Sequence, residues 1–194
     1  MGRVKETAVL RLRRAVRRIE TATRERAATG RGPEEADDVV GTFATDGALG
    51  FDPFPFLRAL HEAGSRAVVI GQVAGIMHGS EELTGDLDLL WDGTPAQARA
   101  LRDALVATGC TELPDLSRPQ ADYRVTGAGG DLCTPALPWG GMDTEPCLAR
   151  AVGVRDPEGF VIRCADLDDL ILMRRSLGRP KDHRRADELE ALRP

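Results

Sequence analysis

The sequence predicts an α/β (α+β) chain: a small mixed sheet flanked by helices, with a basic helix ahead of it and a helical tail behind. Three observations predict this. Short apolar runs, such as Ala67, Val68, Val69 and Ile70, have strand length and β-branched composition. Between them lie segments of helical periodicity, opened by Asp52-Pro53, Thr94-Pro95 and Asp166 and closed by Gly64, Gly109 and Gly178. Glycine and proline clusters punctuate the rest.

The elements follow in order. Residues 1–29 read as one helix, with Val9, Leu10, Leu12, Val16 and Ile19 on its apolar stripe and Arg11, Arg13, Arg14, Arg17 and Arg18 around it. A charge run of this kind is usually a solvated face, and nucleic-acid contact is the sharper reading. Residues 29–50 form a glycine-rich loop carrying Glu34, Glu35, Asp37 and Asp38. The predicted organisation is therefore a basic helix and linker over residues 1–50 and a main domain over residues 51–194. Asp52 is the expected N-cap of the next helix, which ends at Gly64. The strand at residues 67–70 stops at Gly71, and residues 73–77 start a short helix closed by His78 and Gly79. A second strand is predicted over residues 86–91. A helix follows from Pro95 to about Thr108. A strand is expected at residues 123–126, a glycine turn at 127–130, and a returning strand from Asp131. Residues 135–145 form a loop, with a short helix after it at 145–151. Residues 159–164 read as the final strand. Asp166 caps a helix over residues 167–177, and Gly178-Arg179-Pro180 separates it from a charged helix over residues 181–192.

Composition narrows the class. The chain has 194 residues, 42% hydrophobic, and a net charge of -5. Residues 1–31 carry +7, so the remainder carries -12. No apolar run approaches bilayer length and the N-terminus lacks an apolar signal core, which predicts a soluble cytoplasmic protein with no membrane partner. Cys110, Cys133, Cys147 and Cys164 form no CxxC pair and are expected to be reduced thiols. The three histidines are too scattered for a histidine metal site.

The chemistry centres on residues 66–92. In a strand, Asp86 and Asp88 share one face, where like charges repel. A divalent cation between them removes that repulsion. Asp131, opening a strand after a glycine turn, is the third carboxylate expected nearby. Asp122 and Asp143 compete for that role, and Asp131 also fits ordinary turn chemistry.

A strand, a glycine turn, a short helix and a strand bearing Asp-x-Asp make a familiar order. Ile70-Gly71-Gln72, thirteen residues, then Asp86-Leu87-Asp88 resembles the core of the nucleotidyltransferase superfamily, which has a DNA polymerase beta-like fold. With His78-Gly79, Thr84, the run from Ala165 to Leu170 and Gly178-Arg179-Pro180-Lys181-Asp182, the chain looks most like the minimal, AbiEii-type toxin-like bacterial branch. The resemblance covers residues 51–192. It implies two Mg²⁺ ions held by Asp86, Asp88 and Asp131, which serve as metal ligands and catalytic residues. It implies an NTP bound at Gly71, Gln72 and Lys181, with Arg179 helping to neutralise phosphate. The expected reaction moves an NMP to an acceptor hydroxyl of RNA (a tRNA end), a protein or a small molecule, with an antitoxin as possible partner. Gln72 stands where the family has Gly or Ser. Glu81 and Glu82 stand where relatives commonly carry an arginine. These departures motivate the alternative of a catalytically weakened binding or regulatory module.

Overall fold

The apolar runs become strands, but shorter ones than their sequence pattern predicts. The computed structural model describes residues 7–36, 39–117, 122–125, 130–136 and 139–193. The sheet contains β1 (Val68–Val69), β2 (Leu89–Leu90), β3 (Asp122–Val125), β4 (Gly130–Cys133), β5 (Val152–Arg155) and β6 (Val161–Cys164), in the order β3-β4-β2-β1-β6-β5. The sheet is mixed. β1 runs antiparallel to β2 and parallel to β6, and β2 runs parallel to β4. The two edge pairs, β3 with β4 and β5 with β6, are antiparallel. The class is therefore α+β with a mixed sheet. The predicted turn at residues 127–129 and the carboxylates of Asp37 and Asp38 lie outside the described residues.

Seven helices accompany this sheet among the described residues: α1 (Ala8–Thr23), α2 (Phe54–Glu62), α3 (Gly71–His78), α4 (Pro95–Ala107), α5 (Glu145–Arg150), α6 (Leu167–Leu177) and α7 (Pro180–Ala191). α4 and α6 start at their predicted caps, since the Thr94 side chain accepts from Gln97 N–H and the Asp166 side chain from Asp168 N–H. Other bounds shift. α1 stops at Thr23 instead of residue 29. Pro53, and not Asp52, is the N-cap of α2, although Asp52 Oδ1 still accepts from Phe54 N–H at 3.0 Å. The linker contains three single 3₁₀ turns, Pro33–Glu35, Thr42–Ala44 and Asp46–Ala48.

Two corrections concern the sheet. The second strand is Leu89–Leu90, shorter than the predicted 86–91. Backbone pairing reaches one residue further each way, with Ile70 N–H donating to Asp88 O and Trp91 N–H to Cys133 O, both at 3.0 Å. Asp86 lies ahead of this ladder, so pleat alternation does not place it. The second correction is β5, which the sequence did not predict. Val152 is exposed and the strand lacks an alternating apolar face, so its ladder with β6 rests on backbone pairing.

One apolar core joins the elements. Val9, Leu12, Ala15 and Ile19 of α1 are buried in it, beside Val68, Val73, Ile76, Leu89, Leu101, Ile162, Leu170 and Leu189. α1 packs on α3 and reaches β5. Its arginines are engaged with the body: Arg11 Nε donates to Met77 O at 2.9 Å, Arg13 pairs with Asp156 at 2.8 Å, and Arg14 and Arg18 both reach Glu81. No helix among the described residues is long and apolar enough to cross a membrane.

The four cysteines form no disulfide. Burial pushes the Cys147 thiol up to about 11 and the Cys164 thiol up to about 12. Both groups therefore stay neutral in the folded chain while the unfolded chain ionises. Stability should fall as pH climbs from 9.0 toward those values. At pH 8, Ellman's reagent should titrate one thiol rapidly in the native protein, because Cys110 alone among the four is not buried. Cys110→Ser should remove that phase, and rapid reaction of two or more thiols would contradict the burial.

Candidate active site

The site begins where β1 ends. Ile70 is extended, and Gly71 turns the chain into α3 with φ +62°. A side chain is disfavoured there twice over. The left-handed backbone strains an L-residue, and a Cβ would collide with the Asp88 carboxylate, meeting its Cγ at 2.9 Å. Asp88 therefore packs directly over the glycine turn. The parallel register places Leu89 beside Leu132 and Leu90 beside Cys133. Asp88 and Asp131, one residue upstream in each strand, are thus neighbours at the same sheet end.

Asp86 is positioned differently. Its Oδ1 accepts from Thr42 Oγ1 at 2.7 Å and Thr84 Oγ1 at 2.6 Å, and Gly85 N–H donates to Thr42 Oγ1 at 3.2 Å. The linker thus supplies one of the groups that orient this carboxylate. Gly85 allows the close approach, since a Cβ would meet Ala48 N at 2.5 Å and Thr42 O at 2.7 Å.

All three carboxylates line one cleft of about 490 Å³. Gly71 and Gln72 line it from the turn, Arg174 from α6, Lys181 and Arg185 from α7, and Arg179 from the N-cap of α7. Ile70, Cys133, Trp139, Leu170, Met173 and Leu177 form its apolar part. Acidic groups from the sheet and cationic groups from the helical tail thus share one cavity. A larger hollow of about 720 Å³ lies between α1 and α2, but it contains none of these carboxylates. Its Arg13 and Arg58 already pair with Glu158.

The carboxylates fit a hard divalent cation by donor chemistry, since Mg²⁺ prefers oxygen ligands and tolerates water in its remaining positions. They are not drawn into a finished cage. Among the described residues, no three His, Cys, Asp or Glu side chains are grouped closely enough to hold an ion unaided.

The other predicted residues fall as follows. Lys181 and Arg179 line the cleft, and Arg179 pairs with the buried Asp182 at 2.5 Å. Gln72 is 4% exposed. Its Nε2 donates to Ser80 Oγ at 2.9 Å and Glu82 O at 3.0 Å, so its amide is held within the protein. Glu82 pairs with Arg184 and Arg185 of α7, and Glu81 with Arg14 and Arg18 of α1. The acidic loop is thus neutralised locally by two helices. His78 Nε2 lies 2.8 Å from Ala165 O, which ties α3 to the end of β6. Asp143 Oδ1 accepts from Glu145 N–H at the start of α5, away from the cleft. The side chain of Asp122 lies outside the described residues.

Sequence reasoning missed Thr42, Gly75 and Arg174. Arg174 is 5% exposed, and its Nη2 donates to Gly71 O at 3.1 Å and Gln72 Oε1 at 2.8 Å. Burial, then the charge of Arg185, pushes its pKa down to about 10. Gly75 makes room for it, because a Cβ there would meet Arg174 Nη2 at 2.9 Å. The available signal was spacing: Arg174 follows Leu170 by four residues, on the apolar face of α6.

No protein-family model, curated protein or solved structure matches this chain.

Proposed function

We propose that this chain is a Mg²⁺-dependent nucleotidyltransferase with the nucleotidyltransferase fold. It acts in the cytoplasm, moves an NMP from an NTP to an acceptor hydroxyl of RNA, a protein or a small molecule, and serves as one component of a toxin–antitoxin pair. The observation that carries this reading is the cleft itself. A glycine turn with Asp88 packed over it adjoins Asp86 and Asp131, and cationic groups from α6 and α7 line the same cavity.

Asp86, Asp88 and Asp131 would hold two Mg²⁺ ions, which supply charge neutralisation on the triphosphate and lower the pKa of the attacking hydroxyl. Gly71, with no Cβ, lets the Asp88 carboxylate sit against the turn that begins α3, beside the site proposed for the triphosphate. Lys181 and Arg179 balance the charge of the leaving pyrophosphate. The acceptor oxygen forms a bond to the α-phosphorus as the bond to the bridging oxygen breaks. Asp131 would take the hydroxyl proton.

The alternative, a weakened binding or regulatory module, drew on Gln72 and Glu82. Both side chains are engaged inside the protein, which supports the catalytic reading over the module.

The test is transfer of label from each of the four NTPs, labelled at the α-phosphate, to RNA or protein in the presence of Mg²⁺. Covalent labelling that EDTA abolishes is the expected result. Absence of labelling with all four, together with no calorimetric binding of any of them, would overturn the proposal.

A further inference from the structure

We infer that Arg174 is a preorganised anion receptor at the root of the glycine turn, and that its anion is the polyphosphate of a nucleotide. The identification of the anion as a nucleotide polyphosphate rests on the proposed function. The receptor itself rests on the state of the side chain.

A guanidinium has five N–H donors. Nη2 of Arg174 uses its two on Gly71 O and Gln72 Oε1, and Nε is buried without a partner. The three donors on Nε and Nη1 make no hydrogen bond among the described residues. No carboxylate there bridges to it either, although Arg174 lines the cleft. A buried cation with an unpaired N–H and no hydrogen-bonded carboxylate is unfavourable. Here the neighbouring Arg185 adds repulsion, which Asp182, Glu82 and Glu188 offset only in part and without a hydrogen bond to the guanidinium. An anion in the cleft would relieve both terms. Guanidinium geometry suits phosphate, because its planar fork offers paired donors.

The fork is held in place from behind. Gln72 Oε1 accepts one of its bonds, and the Gln72 amide is fixed in turn by Ser80 and Glu82. Ser80 Oγ continues the chain to Glu188 Oε2 at 2.9 Å. Gly75 supplies the space beside Nη2. Gln72 therefore acts as a positioning residue for Arg174. This gives a role to a side chain that looks out of place beside a phosphate-binding glycine.

A purely structural role makes a different prediction for anion binding. If Arg174 were a strut for Gly71 O, replacing it would lower the melting temperature and leave anion binding untouched. A receptor loses anion affinity when replaced, because its remaining donors serve the anion, whatever the loss of its bonds to Gly71 O and Gln72 Oε1 does to the melting temperature.

The experiment is calorimetric titration of the full chain with sodium tripolyphosphate, ATP and adenosine, in EDTA and in Mg²⁺, alongside thermal melts. For Arg174→Gln, affinity for tripolyphosphate and ATP should fall roughly tenfold or more. Any adenosine binding should be unchanged, and the thermal melts confirm that the variant is folded at the titration temperature. Arg174→Lys should restore part of the affinity. Gly75→Ala keeps the charge but displaces the fork, and should weaken tripolyphosphate binding. Unchanged affinity in Arg174→Gln overturns the inference, as does failure of the native chain to bind tripolyphosphate. If Arg174→Gln is unstable or unfolded, Arg174→Lys and Gly75→Ala decide: native affinity in Gly75→Ala, or no recovery in Arg174→Lys, overturns it. The two proposals fail separately. Arg174-dependent tripolyphosphate binding without nucleotidyl transfer removes the enzymatic reading and leaves the receptor. Transfer that is indifferent to Arg174 does the reverse.

Discussion

Asp88→Asn should lower nucleotidyl transfer by roughly 10²–10³-fold, the scale seen when one preorganised charge-stabilising group is removed, and should leave the chain at least as stable as before. The two halves of this result have one cause. Asp88 lies over Gly71 and beside Asp131, in a register fixed by the β2–β4 ladder. Neighbouring carboxylates repel, so neutralising one removes that repulsion, and asparagine keeps an oxygen for the interactions Asp88 already makes. Asparagine has nearly the same shape and preserves the packing over Gly71. What it removes is the charge that a divalent ion requires. Initial rates under saturating Mg²⁺ and urea denaturation of the same samples measure both. A native rate in Asp88→Asn would show that the transfer chemistry lies elsewhere. A large loss of stability would show that Asp88 is a structural carboxylate.

The sequence made this region legible because its signals are local. A glycine that must adopt positive φ and a β-branched run before it lie within a few residues of each other. Asp88 and Asp131 each sit directly ahead of an apolar pair in a strand. Asp86 was identified through strand alternation, yet it lies outside the strand and is oriented by Thr42 and Thr84. Thr42 is 44 residues away in sequence, and no local pattern announces such a contact. Arg174 carries a local signal in its spacing from Leu170, but its partners belong to α3 and meet it only on folding. Gln72 and Glu82 look hostile to phosphate when judged by residue type. Their actual partners, Ser80, Arg174, Arg184 and Arg185, exist only after folding. The same limit applies to β5. Backbone pairing alone creates an exposed edge strand, and periodicity cannot detect it.

Arg13→Ala should destabilise the chain by about 3–5 kcal/mol, the range for breaking a buried ion pair from one side. Arg13 donates from Nη2 to both oxygens of Asp156, at 2.8 and 3.0 Å, and from Nε at 3.2 Å. The Asp156 side chain is 0% exposed. Arg13 also stacks over the Phe54 ring at 4.4 Å and reaches Glu158 at 2.7 Å. Removing it strands a fully buried carboxylate, which retains the Glu158 N–H at 2.8 Å but no longer has this cation. The Arg13→Ala, Asp156→Ala double variant should therefore be less destabilised than the sum of the two single variants, with a coupling of about 1–3 kcal/mol in urea denaturation. A loss under about 1 kcal/mol in Arg13→Ala would place this pair with exposed ion pairs, which contribute little. The outcome also bears on the meaning of the basic helix. An arm that binds nucleic acid keeps its cations available to phosphate. In α1, Arg11 reaches Met77 O, Arg13 reaches Asp156, and Arg14 and Arg18 reach Glu81. Four of the five arginines of α1 thus engage the body, while Arg17 is exposed. Glu81 belongs to the same loop as Thr84, which orients Asp86. The helix that looks like an appendage in the sequence therefore helps to hold the loop on which the cleft depends.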